Sequence, residues 1–327
     1  MNKNKTIELE AGAGGKKSEE LIAKIRTILN YKGKWKNVED DGAVLNLGNK
    51  KLIFTTDAFI VSPIFFPGGD IGKISISGTI NDLAVMGAQP LGISLSIVIE
   101  EGFPEKDLMK IIKSINEISR KEKVPIVTGD TKVTEKGKID KIEITTAGVG
   151  EANKIIPDAG AKIGDIVISS GNLGEHTAAL LAKRFNYKTH IKSDSKPLTK
   201  EIQRAKEYLT SCKDPTRGGP AAVLNEIAEK SRVKIVLDEK MLPFKKEVIT
   251  ISELLGIDKF SFASEGRFVA TVSSKNADEA IKILRRYNHE AKIIGKVERG
   301  RGVWLKTNIG SLKKIEVPRG KMVPRIC

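Results

Sequence analysis

Cys327, the last residue of a 327-residue sequence, is one of only two cysteines; Cys212 is the other. A thiol at a chain end packs a core poorly because ends fray into water, and a structural zinc site wants four ligands gathered closely. What remains is chemistry on a tether. Four aspartates, Asp57, Asp82, Asp130 and Asp214, stand at predicted loop or helix junctions beside glycine or other small residues. Singly, each fits a cap or a turn. Together they fit a hard cation, since Mg2+ takes a few carboxylates and completes its sphere with water and phosphate oxygens. Glycine-rich turns at 12–15, 68–69 and 218–219 could bring backbone N–H groups close to phosphate. None is a Walker P-loop: "GAGGKKS" has lysine where the motif needs Ser or Thr, and Glu10 where it needs its first glycine.

The elements that must position these groups alternate between helix and strand. "AGAGGKK" feeds a helix in which Leu21, Ile22, Ile25, Ile28 and Leu29 recur at the spacing of one buried face. "KLIFTTDAFI" predicts a strand ending near Asp57. "PGGDIGKISISGTINDLAVMGAQP" predicts a turn and then a helix closed by Gly87 and Pro90, with Ser75, Ser77, Gly78 and Thr79 small enough for close packing on a sheet. The strand "LGISLSIVIE", a helix around 104–121, and the strands "VPIVTGDTKV" and "KIEITTAGVGEA" follow. Loop-like composition at 151–164 marks a boundary. Beyond it, "DIVISSGNLGEH" reads as strand, glycine turn and helix, and "DPTRGGPAAVLNEIAEKS" as a loop feeding a helix with Pro220 in its first turn. The expected organisation is two α+β domains, 1–152 and 153–316, and a tail, 317–327.

Composition narrows the classes. Hydrophobic residues make up 40% and charged residues 30%, as in a folded globular protein, and no apolar run approaches the roughly 20 residues that span a bilayer. "MNKNKTIELE" lacks the apolar stretch of a signal peptide, so a cytoplasmic location is expected. The net charge of +15 comes from lysines spread along the whole chain, and aromatics are only 5%. Base-stacking platforms are therefore sparse, which favours a solvated surface that attracts anionic ligands over a nucleic-acid binder.

"VSPIFFPGGDIGKISISGTINDLAVMGAQP", "GDTKV", "KDPTRGGPAAVLNEIA", "ASEGRF" and the terminal "PRIC" together resemble the HypE family of hydrogenase maturation factors. That family belongs to the superfamily of aminoimidazole ribonucleotide synthetase, selenophosphate synthetase and thiamine-monophosphate kinase. The resemblance runs from about Gly12 to Cys327 and implies a PurM-like fold whose N-terminal domains form a shared barrel in a homodimer. The run "GISLSIVIE", too apolar for a solvent-exposed sheet edge, agrees with that assembly. The implied reaction is carried by the tail. A HypF-like carbamoyltransferase loads Cys327, ATP activates the carboxamide oxygen, and loss of phosphate leaves an S-cyano cysteine. Its cyanide then passes to iron on a HypC–HypD complex.

The resemblance also assigns roles. Asp57, Asp82 and Asp130 would hold Mg2+, with Asp214 as a further member of the Mg2+–ATP site. Gly12, Gly14, Gly15 and Lys16 would form a mobile flap over the phosphates, Lys16 standing where the family usually has arginine. Arg217 would either reach phosphate or cap a helix. Lys132 and Glu265 would remove protons from the carboxamide; without the resemblance, one is a surface lysine and the other a turn residue. The sequence departs from the family at Ala11, where histidine is common. His176 is open between a family role and a helix-start hydrogen bond, and Cys212 reads as a small buried residue.

The rivals fit less well. A selenophosphate synthetase would carry cysteine or selenocysteine in its N-terminal glycine loop, and "GAGGKK" has neither. A thiamine-monophosphate kinase or an aminoimidazole ribonucleotide synthetase would leave "PRIC" without a use. The tail from Val317 to Cys327 is 11 residues and reaches at most about 36 Å. Pro318 and Pro324 keep it out of helix, and Gly320 offers a pivot. Arg319, Lys321 and Arg325 are expected to grip acidic surface or phosphate, and Arg325 to stabilise the thiolate beside it.

Overall fold

The structure, a computed structural model, describes residues 6–318 and 323–327. The N-terminal part runs α1 (Gly15–Ile28), β1 (Ala43–Leu47), β2 (Lys50–Phe59), a short hairpin β3 (Phe65–Phe66) and β4 (Gly69–Asp70), α2 (Ile71–Val85), β5 (Gln89–Glu100), α3 (Glu105–Glu122), β6 (Ile126–Thr134) and β7 (Ile142–Ala152). Among the described residues these strands form a five-stranded sheet ordered β1-β2-β7-β5-β6, antiparallel except where β5 meets β6.

Helix α2 is the keystone. Asp70 caps its start, accepting from the amide of Lys73 at 2.9 Å. Thirteen of its 15 residues are buried, because it packs against β2 and β7 on one side and against the C-terminal part on the other. Small residues make that approach possible, with Gly78 lying against Phe59 and Gly72 against Ile111. Ile74, Ile76 and Ile80 join Ile93, Ile97, Ile142 and Ile144 in one core. Each such side chain contributes about 1.5–3 kcal/mol on leaving water.

The second part runs β8 (Ile166–Ser169), α4 (Glu175–Arg184), α5 (Thr199–Ala205), β9 (Leu209–Lys213), α6 (Gly219–Lys230), β10 (Lys234–Asp238), α7 (Lys246–Leu255), β11 (Val269–Val272), α8 (Ala277–Arg285), β12 (Lys292–Glu298), β13 (Gly302–Lys306) and β14 (Leu312–Ile315). Its seven described strands are ordered β14-β13-β10-β12-β8-β11-β9. Helix α6 covers one face through Leu224 and Ile227, packed with Ile235, Val303 and Leu305.

Two expectations are corrected. The apolar face of α1 is not buried: Ile28 is 80% and Leu29 72% exposed, and only Gly15 and Ser18 of this helix are covered. Among the described residues no strand packs beneath this helix, so its periodicity marks an amphipathic helix whose apolar face they leave open. The run "GISLSIVIE" avoids a solvent-exposed edge as expected, but by pairing within the protomer, where the assembly was expected to cover it. It lies in β5, paired on both sides, and the exposed edge is β6, whose Val127 and Val133 face solvent.

Candidate active site

The acidic centre is built by four segments that converge beside α2. Asp82 projects from the last turn of that helix, Asp57 from near the end of β2, Asp214 follows β9 directly, and Asp41 precedes β1. Carboxylate oxygens of Asp41, Asp82 and Asp214 lie within 4.8 Å of one another. The Thr55 hydroxyl sits 2.8 Å from both Asp82 Oδ2 and the carbonyl of Asp41, tying two of the segments together. Burial pushes Asp57, Asp82 and Asp214 above the usual carboxylate range, and for Asp82 the charges of Asp57, Asp214 and Asp41 push the same way. Asp41 Oδ2 and Asp214 Oδ2 are buried, with no hydrogen-bond partner among the described residues. Crowded, buried, unpaired oxygen donors fit a hard divalent cation, which would remove that repulsion.

Asp41 is a residue that sequence reasoning missed, because "EDDG" at 39–42 gives no sign of which acid turns inward. Lys213 and Asp158 were missed as well. Lys213 Nζ lies 2.6 Å from Asp41 Oδ1, 2.9 Å from Asp158 Oδ2 and 3.3 Å from Glu226 Oε2. Lys230 completes the network, 2.8 Å from Asp158 and 2.7 Å from Glu226. The one available sequence signal was a lysine inside an otherwise buried strand, next to Asp214.

Two of the glycine loops pack against each other beside this centre. Gly218 and Gly219 hold φ of +83° and +60°, opening α6, and a Cβ on Gly219 would lie 2.7 Å from the carbonyl oxygens of Phe260 and Phe262. Gly14, at φ +86°, packs so closely that its Cβ would lie 2.8 Å from the backbone of Arg217 and Gly218. Gly12, Gly14, Gly15, Asp57, Asp82, Asp214 and Arg217 thus line one cavity of about 700 Å³. The amide of Lys16 bonds the carbonyl of Pro318 at 3.2 Å, joining the loop to the base of the tail.

The tail is seated. Cys327 accepts through its carbonyl from the amide of Ile60 at 3.1 Å, and Arg325 from Ser62 at 3.0 Å, so residues 325–327 run antiparallel to 60–62. His176 is buried at the start of α4. Its Nε2 donates to the Ile326 carbonyl at 2.6 Å, and its Nδ1 accepts from the Ser193 hydroxyl at 2.7 Å. The half-buried Cys327 thiol faces Glu265, Arg217, Asp57 and Asp214. Burial and then Glu265 push its pKa up, while Arg217 opposes them. Glu265 is itself buried, its Oε1 has no hydrogen-bond partner among the described residues, and burial holds it well above the usual carboxylate range. A buried carboxyl group whose ionisation is disfavoured and a guanidinium thus act on the sulfur.

Other expected placements differ. Lys132 and Asp130 are not brought to this centre within the protomer. They lie on the edge strand β6, 3.6 Å apart and 72% and 64% exposed, because among the described residues no further strand pairs with that edge. Arg325 pairs with Asp140 instead of supporting the thiolate, and Arg217 takes that position. Arg319, Gly320 and Lys321 lie outside the described residues. Cys212 is buried, and burial pushes its thiol well up, as suits an inert packing residue.

Residues 39–152 match the family "AIR synthase related protein, N-terminal domain", and residues 162–306 match "AIR synthase related protein, C-terminal domain". A putative hydrogenase expression/formation protein of Methanocaldococcus jannaschii is 44% identical, over 97% of this chain and 98% of that protein. The carbamoyl dehydratase HypE of Cupriavidus necator is 41% identical, over 99% and 96%. Among solved structures, a HypE–HypF complex is similar with a TM-score of 0.85 at 38% identity, covering 92% of this chain and 99% of that one. HypE in complex with ATP is similar with a TM-score of 0.82 at 32% identity, covering 98% and 100%.

Proposed function

The chain belongs to the HypE family of carbamoyl dehydratases, enzymes of hydrogenase maturation, and on that premise we propose that it dehydrates an S-carbamoyl group carried on its own Cys327 to an S-cyano group, using ATP. One observation carries the assignment to Cys327: the last residue of the sequence is seated beside the acidic centre, its sulfur facing Arg217 and Glu265.

The atoms balance as follows. The thiol, once carbamoylated by a HypF-like partner, is S–C(=O)NH2. Its carbonyl oxygen attacks the γ-phosphorus of ATP and ADP leaves, converting a poor leaving group into phosphate. The nitrogen gives up two protons as the C–O bond breaks, leaving S–C≡N, ADP and phosphate. A carboxamide N–H is a very weak acid, so oxygen phosphorylation precedes or accompanies proton removal.

Asp41, Asp82 and Asp214, with Asp57 beside them, would hold Mg2+. The ion would neutralise charge on the phosphates and orient the γ-phosphoryl group. Gly12, Gly14, Gly15, Thr216 and Arg217 line the same cavity, where the glycines leave room for phosphate to approach the backbone and Arg217 supplies positive charge. Arg217 stabilises negative charge near the sulfur. Glu265, which acts electrostatically on the Cys327 thiol, would take up a proton from the carboxamide nitrogen in its ionised form.

The protein acts as a homodimer. Strand β6 is an uncovered edge carrying Val127 and Val133, and a second copy would cover it. Asp130 and Lys132 then join the reaction through that assembly and not within one protomer. The cyano group is delivered to iron held by a HypC–HypD pair. The free thiol carrier favours a reducing cytoplasm, and among the described residues no helix is long and apolar enough to cross a membrane. The test is Cys327→Ala: it should bind ATP with unchanged affinity and accept no carbamoyl group. Transfer of the carbamoyl group to the alanine variant would refute the assignment.

A further inference from the structure

The side chain of Arg184 spends its charge on main-chain carbonyls. From the last turn of α4 its Nε donates to the Ser62 carbonyl, and its Nη2 reaches the Pro324 carbonyl at 2.9 Å and the Arg325 carbonyl at 2.5 Å. One guanidinium therefore staples the tail to the loop after β2, on the same line as the rungs from Ile60 and Ser62 to the tail. At the other end of α4, His176 holds the next carbonyl, that of Ile326. Three successive tail carbonyls, at 324, 325 and 326, are thus taken by two side chains of one rigid helix.

A grip on carbonyls has a consequence that a grip on side chains would lack. It is indifferent to what Sγ carries, so free, carbamoylated and cyano forms of Cys327 can all be held at the same depth. It also competes with any partner that must draw the tail out to reach the thiol. The geometry points to Arg184, with His176 in support, as the positioning residue that sets the balance between a seated and a released tail. This rests on the reading of Cys327 as carrier.

Arg184 then acts in opposite directions on the two half-reactions. Loading needs the released tail, and its rate scales with the released fraction. Dehydration needs the seated tail. Loss of a charged hydrogen bond corresponds to roughly tenfold to a hundredfold in such a balance. A residue that merely supported the fold would slow both.

The experiment compares the unmutated protein with Arg184→Met and Arg184→Lys, each full length. Alkylation of Cys327 by iodoacetamide at fixed pH, followed in the C-terminal peptide by mass spectrometry, reads release directly. Carbamoyl loading by the transferase and single-turnover dehydration at saturating ATP read the two half-reactions. In Arg184→Met, alkylation should rise roughly tenfold or more, loading should hold or rise, and dehydration should fall by a similar factor, with ATP affinity unchanged. Lysine, keeping the charge with fewer aimed donors, should fall between. If methionine prevents folding, the lysine variant carries the same comparison. Unchanged alkylation, or loading and dehydration falling together, overturns the proposal. If the unmutated protein loses no water with ATP, the carrier reading has failed, and the alkylation arm still decides whether Arg184 seats the tail.

Discussion

Lys213 Nζ lies 2.6 Å from Asp41 Oδ1, a lysine only 5% exposed holding one member of a three-carboxylate cluster. The same ammonium reaches Asp158, whose carboxyl is driven up to about 7 by burial and by the charge of Asp41. Removing the lysine leaves those acids uncompensated in the interior. Lys213→Met should therefore cost about 3–5 kcal/mol in urea unfolding, and Lys213→Arg distinctly less. A loss under about 1 kcal/mol would mean that water reaches this network.

Asp82→Asn should have two effects of opposite sign. Asp82 shares its site with the oxygens of Asp41 and Asp214, so losing one charge relieves repulsion in the metal-free protein. In EDTA the midpoint of thermal unfolding should rise. Mg2+-dependent ATP affinity should fall by roughly tenfold or more, since a hard cation loses one of few charged donors. Calorimetry showing unchanged affinity would move the cation elsewhere.

His176 supplies a pH dependence. Burial, with Arg184 and Lys73 nearby, lowers its pKa from 6.5 to about 4, and its Nε2 holds the tail. A histidine disfavoured as a cation in the folded state contributes nothing to the pH profile above pH 6.5. Stability falls as pH drops from 6.5 towards 4, because the unfolded chain binds the extra proton. The unmutated protein should lose about 1–2 kcal/mol more than His176→Gln between pH 7 and pH 5. Parallel profiles would contradict this assignment.

The assembly is testable through β6. Val127 is 63% and Val133 68% exposed on an edge strand, and charge there should block pairing. Sedimentation should give a dimer for the unmutated protein and a monomer for Val127→Lys/Val133→Lys. A monomer for both at micromolar concentration would contradict the homodimer.

Much of the fold was legible because its signals are local. The strand β7 alternates buried and half-exposed residues along its whole length, and the small residues of α2 announced a helix pressed against a sheet. The site was legible only in part. Asp214 stands at a strand–loop junction as expected, Asp57 and Asp82 lie inside β2 and α2 and not at junctions, and Asp41 depends on how a loop folds back across Thr55. The exposed face of α1 misled because periodicity tells which residues share a face and not whether anything covers it. Arg184 carried no local sign: its three carbonyl partners come from segments more than 120 residues away in sequence.

The central claim is that Cys327 carries the group that ATP dehydrates. The direct measurement is the mass of the Cys327 peptide after incubation with the carbamoyltransferase, carbamoyl phosphate and ATP. The account predicts a carbamoyl adduct on Cys327, and, once the loaded protein is freed of nucleotide, its conversion to a species lighter by one water only when ATP is added back. An adduct on Cys212, water loss without ATP, or cyanide produced by Cys327→Ala would contradict it.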